Sequence, residues 1–152
     1  MPRLTRETLG FDPPPPAPSV GRYAPFVTHN GIVSIVQGPL WGEELRFRGR
    51  DGADVDVARA QDAARLCCAN LLTQLEIACG GDLDRVRCCY RLGGFLNATP
   101  DFAAHTTVMN AASDLLLAVL GDRARHSRYV VGCASLPFNL VLEIEGWFGV
   151  AG

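Results

Sequence analysis

The spacing of apolar positions along the 152-residue chain changes several times, and each change marks an element. In residues 23–37, β-branched residues gather in two short runs, Phe26-Val27-Thr28-His29 and Ile32-Val33-Ser34-Ile35-Val36. Asn30-Gly31 between them suits the positive φ angles of a tight type I′ turn, so a hairpin is predicted, ended by Gly38-Pro39. A loop rich in glycine and arginine follows over residues 40–54. The period then lengthens. Ala60, Ala64, Cys67, Leu71, Leu75 and Ala78 recur every three or four residues, the stripe of a helix over residues 57–78 that Gly80-Gly81 stops. Val86, Cys88, Tyr90 and Leu92 alternate with Arg85, Arg87, Cys89 and Arg91, which reads as a half-buried strand. Pro100-Asp101 opens a second helical region with Phe102, Met109, Ala112, Leu116 and Val119 inward and Gly121 as its stop. Two strands close the chain, over residues 129–134 and 140–148. In the second, Leu142, Ile144 and Phe148 share one face, and Glu143, Glu145 and Trp147 share the other.

The order β-β-α-β-α-β-β predicts one α+β domain over residues 23–152, with two helices covering one face of a mixed sheet. The other face then needs a partner, which predicts oligomerisation. Residues 1–22 read as an arm, because Pro13-Pro14-Pro15-Pro16-Ala17-Pro18 favours an extended conformation without internal hydrogen bonds. The arm leads directly into the first strand, so a strap laid over its own domain is expected.

Composition narrows the chemistry. All fourteen basic residues are arginine, and no lysine is present, which excludes Schiff-base nucleophiles, lysine-anchored pyridoxal phosphate and the P-loop lysine. Arginine holds carboxylates through a planar, permanently charged fork, so anion recognition remains open. The net charge of −2 argues against nucleic acid as the main partner. No apolar run reaches membrane-spanning length and the N-terminus lacks a signal-like stretch, so a cytoplasmic location is expected. The six cysteines, Cys67, Cys68, Cys79, Cys88, Cys89 and Cys133, form no C-x-x-C pair and read as reduced thiols, several of them at apolar positions of periodic segments. No metal or cofactor is expected.

The last third carries a recognisable pattern. Arg128-Tyr129-Val130-Val131-Gly132-Cys133-Ala134-Ser135-Leu136-Pro137, followed by Val141-Leu142-Glu143-Ile144-Glu145, resembles the signature of the RidA/YjgF enamine/imine deaminases. Gly38-Pro39, Asn70 and Asn110 fit the same family over residues 20–150. The segments Asn110-Ala111-Ala112-Ser113-Asp114-Leu115 and Gly121 through Arg128 resemble a longer branch of it. The resemblance implies a chorismate-mutase-like fold and a homotrimer with clefts between neighbouring subunits. It implies that Arg128 holds a substrate carboxylate, that Glu143 positions or activates water, and that Tyr23 and Asn110 line the cleft. Gln37 and His126 are further candidates for binding. Where many relatives have Ser-Gly-Gln, this chain has Ile35-Val36-Gln37, and Val130 stands where cysteine is common, so a more apolar cleft is expected.

Imine hydrolysis asks little of a protein: a held substrate, a water approaching the C=N carbon, and a proton route to nitrogen. A hydrolytic deaminase of small imine or enamine carboxylates is therefore the leading expectation. A non-catalytic ligand-binding or regulatory trimer, and an imine cyclisation or tautomerisation in a biosynthetic pathway, are the alternatives. Arg125, His126 and Arg128 also complement the dipole at the end of the second helix, which explains them without a ligand. Glu145, two residues from Glu143 and on the same face, competes for the acid's role.

Overall fold

Asn30 and Gly31 do form the predicted turn, both at positive φ (49° and 73°), and they join β1 (Phe26–His29) to β2 (Ile32–Gln37) in antiparallel register. The computed structural model describes residues 3–152. The next segment, expected to be a plain loop, contains a small hairpin of β3 (Leu40–Trp41) and β4 (Glu44–Leu45). Then come α2 (Val57–Ala78), β5 (Val86–Asn97), α3 (His105–Leu120), β6 (Ser127–Cys133) and β7 (Leu142–Val150). Five of the strands make one sheet in the order β1-β2-β7-β5-β6, antiparallel except for the β5–β6 pair.

The two long helices lie on one face of this sheet. Val33, Ile35, Leu92, Leu96, Leu142, Ile144 and Phe148 point beneath them and are almost fully buried. The α2 stripe is as predicted, but burial extends around the helix to Leu66, Cys68, Asn70, Leu72 and Gln74. Three neighbours account for it: α3, where Cys68 Sγ donates to the Ala112 carbonyl, the Gly38–Leu40 corner against Asn70, and the arm against Gln74. The arm begins with one helical turn, α1 (Arg6–Leu9), which the sequence pattern did not suggest, capped by Thr5. Beyond it the chain runs extended through the prolines. Leu9 and Ala17 are buried, Gln74 Nε2 donates to the Ala17 carbonyl at 3.2 Å, and the Leu4 N–H donates to Glu76 Oε1 at 3.1 Å.

β5 departs most from the sequence reading. Alternation placed Cys88 and Tyr90 on the inner face, yet Cys89 is buried and Tyr90 is 54% exposed. Register shifts between Val86 and Cys88 and between Cys89 and Arg91 flip the parity of the residues between them, so Cys89 faces inward, while Val86 and Leu92 face inward as expected. The strand also continues past Leu92 through Gly93-Gly94. These glycines are packing sites: a Cβ at Gly93 would lie 2.3 Å from the Tyr129 ring, and one at Gly94 would lie 2.6 Å from Met109 Sδ. Pro100-Asp101 belongs to a connection, and α3 starts at His105.

The opposite face of the sheet carries no helix. Val27, Val36, Phe95, Val131 and Trp147 project from it, 38–58% exposed. Burial of an apolar face this broad is what association would contribute. All six cysteines are free, and burial pushes the thiols of Cys67, Cys68 and Cys89 upward, to about 12 for Cys89.

Candidate active-site clefts

Strand parity decides where the candidate residues go. Glu143 pairs with Phe95 and Glu145 with Gly93, so both carboxylates stand on the open face. Arg128 pairs with Leu92, whose side chain is in the core, so Arg128 leaves the sheet on the helix-covered side. β5 lies between their strands. Within one subunit, Arg128 and Glu143 are thus on opposite faces and belong to two separate clefts.

The first cleft, about 460 Å³, is lined by Tyr23, Val27, Ser34, Val36, Gln37, Pro137 and Glu143, among others. Val36 and Ser34 alternate on the open face of β2, and the hairpin brings Val27 alongside Ser34. Gln37 is 8% exposed at the end of β2, where it borders the cleft. Asn70 fixes this corner, because its Nδ2 donates to the carbonyls of Gly38 (3.1 Å) and Leu40 (2.7 Å). Tyr23 is 58% exposed at the rim.

The two glutamates are not equivalent. Glu145 Oε1 accepts from the Tyr129 hydroxyl at 2.9 Å and from Arg91 at 3.2 Å, while Arg91 lies over the rings of Tyr129 and Trp147. That carboxylate is engaged. Glu143 has no hydrogen bond or ion pair among the described residues, is half-buried, and burial raises its carboxyl above the ordinary range. The sequence left these two in competition; the open-face contacts leave Glu143 as the one of the pair without a partner among the described residues.

The second cleft, about 520 Å³, lies at the β6 edge and is lined by Ser113, Leu117, Asp122, Arg125, His126 and Arg128. Arg128 Nη1 donates to Ser113 Oγ at 3.0 Å, and Nη2 reaches toward the Thr106 carbonyl at 3.5 Å. None of the ion pairs among the described residues includes Arg128. Asn110 is exposed on α3, between Thr106 and Ser113 on the same helical stripe. His126 lines this cleft, with Nε2 2.9 Å from Ser113 Oγ and Nδ1 2.5 Å from the Ala124 carbonyl, so both ring nitrogens are engaged within the chain.

Ser113 and Tyr129 escaped the sequence reading. Ser113 interrupts the apolar face of α3 one turn after Asn110, and that interruption was the available signal. Tyr129 had none, since its role depends on Gly93 lying beneath its ring. Among the described residues, no three His, Cys, Asp or Glu side chains are grouped to hold a metal ion. No helix among them is long and apolar enough to cross a membrane.

Known proteins share this architecture. Residues 4–145 match the family described as "YjgF/chorismate mutase-like, putative endoribonuclease". The Trypanosoma cruzi protein TCP17 is 36% identical over 142 residues, spanning 91% of this chain and 88% of its own. The Agrobacterium tumefaciens protein Atu1372 is 37% identical, with a TM-score of 0.87 over 96% of this chain and 90% of that one. At 23% identity and a TM-score of 0.60, Escherichia coli TdcF, solved with bound serine, shares the fold over 90% of this chain and 94% of its own. The chain is a member of the YjgF/chorismate mutase-like family, with that family's mixed sheet and helical layer.

Proposed function

We propose that the protein is a hydrolytic deaminase of small imine or enamine carboxylates, acting in the cytoplasm as a homotrimer. The observation that carries this reading is the unpartnered Glu143, with its raised carboxyl, facing a cleft of about 460 Å³ beside Tyr23 and Val36. Arg128, a cation without an acidic partner among the described residues, supplies the complementary carboxylate site. Because the two leave opposite faces of the sheet, a working site joins the Arg128 cleft of one subunit to the Glu143 cleft of its neighbour. The uncovered apolar sheet face supports such an assembly, in which residues 3–22 of the arm remain a strap on their own domain.

In this scheme Arg128 fixes the substrate through its carboxylate. Glu143 takes a proton from water as the oxygen attacks the C=N carbon and passes it to nitrogen, giving the carbinolamine; it then moves the hydroxyl proton to the amino nitrogen as the C–N bond breaks, leaving a carbonyl and ammonia. A raised carboxyl suits a group that must both accept and release a proton. Asn110 borders the arginine half of the site, and Gln37 and Tyr23 border the glutamate half. Val36 and Val27 favour an apolar substrate side chain. TdcF, solved with serine, supports small amino-acid-like ligands in this fold.

The test is ammonia release from freshly generated imino acids of varied side chain. Arg128→Ala and Glu143→Gln should each lose about two to four orders of magnitude in rate, while Glu145→Gln retains the chemistry. Protonation disables Glu143 as a base, so activity should rise with pH along a limb above the usual carboxylate range. That limb should be absent from the residual activity of Glu143→Gln. No release above the uncatalysed rate across the panel would refute the reading and favour a binding trimer.

A further inference from the structure

We propose that Ser113 and His126 are positioning residues that hold the Arg128 guanidinium through an uncharged tether, leaving its full charge for a ligand carboxylate. This rests on the reading of Arg128 as the carboxylate clamp and goes beyond it.

The direction of each hydrogen bond follows from the donors available. The Ala124 carbonyl can only accept, so His126 Nδ1, 2.5 Å away, carries the ring proton. In the neutral ring Nε2 is then bare and accepts the Ser113 hydroxyl proton across 2.9 Å. With its hydrogen turned to the imidazole, Ser113 Oγ presents lone pairs to Arg128 Nη1 at 3.0 Å. Both ends are anchored. Ser113 is 8% exposed on α3 and Ala124 is 0% exposed in the turn ahead of β6.

The chemistry of the tether matters. Arg91 is held by the carboxylate of Glu145, and Arg123 lies 3.7 Å from Asp84, so the charge of each is already met within the chain. A hydroxyl backed by an imidazole fixes a guanidinium just as directionally without supplying a negative charge. The same three groups also resemble an activated serine nucleophile, but the arginine N–H occupies a serine lone pair. In addition, Ser113 sits in mid-helix, where neighbouring backbone N–H groups are spent and cannot stabilise an oxyanion.

The tether is tested by calorimetric titration of the assembled protein with sodium pyruvate, a carboxylate of the kind imine hydrolysis would release. Ser113→Ala and His126→Leu should each weaken binding about tenfold, the loss of one orienting hydrogen bond. The double variant should be no weaker than either single one, because both act through one chain of bonds. Ser113→Thr, which keeps the hydroxyl, should stay within about threefold of wild type. Full affinity in both single variants, with binding lost in Arg128→Ala, would overturn the tether and leave the clamp standing. Unchanged binding in Arg128→Ala would overturn the clamp itself. Independently of any variant, the nitrogen spectrum of the neutral His126 ring should show the proton on Nδ1, and the opposite tautomer would overturn the proposal.

Discussion

Asp51 is fully buried, with neither carboxylate oxygen bonded to another described group, and burial together with nearby Asp54 raises its pKa from 3.8 to about 7. The folded chain therefore keeps a proton that the unfolded chain releases above 3.8. The stability associated with the neutral acid is complete below that value, declines as pH rises toward 7, and is lost above it. The full shift corresponds to an upper limit of about 4 kcal/mol, of which about 2.5 kcal/mol falls between pH 5 and pH 8. Asp51→Asn keeps the shape and removes the titration. Urea unfolding of both proteins at one fixed protein concentration should show the variant gaining on wild type by about 2–3 kcal/mol from pH 5 to pH 8. Comparing the change with pH, rather than stability at one pH, cancels the constant cost of burying the amide. Parallel stability curves for the two proteins would overturn this assignment, because they would mean that Asp51 titrates alike folded and unfolded.

Gly93→Ala should destabilise by about 1–3 kcal/mol in urea unfolding, since a Cβ 2.3 Å from the Tyr129 ring forces that ring off the strand and away from Glu145. Asn70→Ala should cost about 2–4 kcal/mol in the same assay, because the carbonyls of Gly38, just after β2, and Leu40, in β3, lose their donor. If the proposed deaminase reading holds, ammonia release should also fall, as the corner beside Gln37 loosens.

Elements with one uniform period were legible in the sequence. The α2 stripe, the Asn30-Gly31 hairpin and the face shared by Glu143 and Glu145 all follow from local spacing. The middle of β5 was not, because two bulges flip the parity of the residues between them, and its end was not, because a Gly-Gly pair reads as a stop unless the overlying ring and sulfur are known. The candidate site residues could be named from a family pattern, but the two clefts that divide them could not. That Arg128 and Glu143 leave opposite faces depends on cross-strand register, which is long-range information. Ser113 was hidden for a related reason, since its value lies in His126, thirteen residues away.

In the proposed deaminase the arginine half and the glutamate half of each site come from different subunits of a trimer, and mixing subunits tests this arrangement. Arg128→Ala and Glu143→Gln proteins, each inactive alone, are unfolded together in equal amounts, refolded, and assayed for ammonia release. Random trimers would be mixed in about three cases of four, and each mixed trimer would hold one intact site in three, so about one quarter of wild-type activity should return. No recovery, with mixed trimers confirmed by native mass measurement, would contradict the claim and require both residues to act from the same chain.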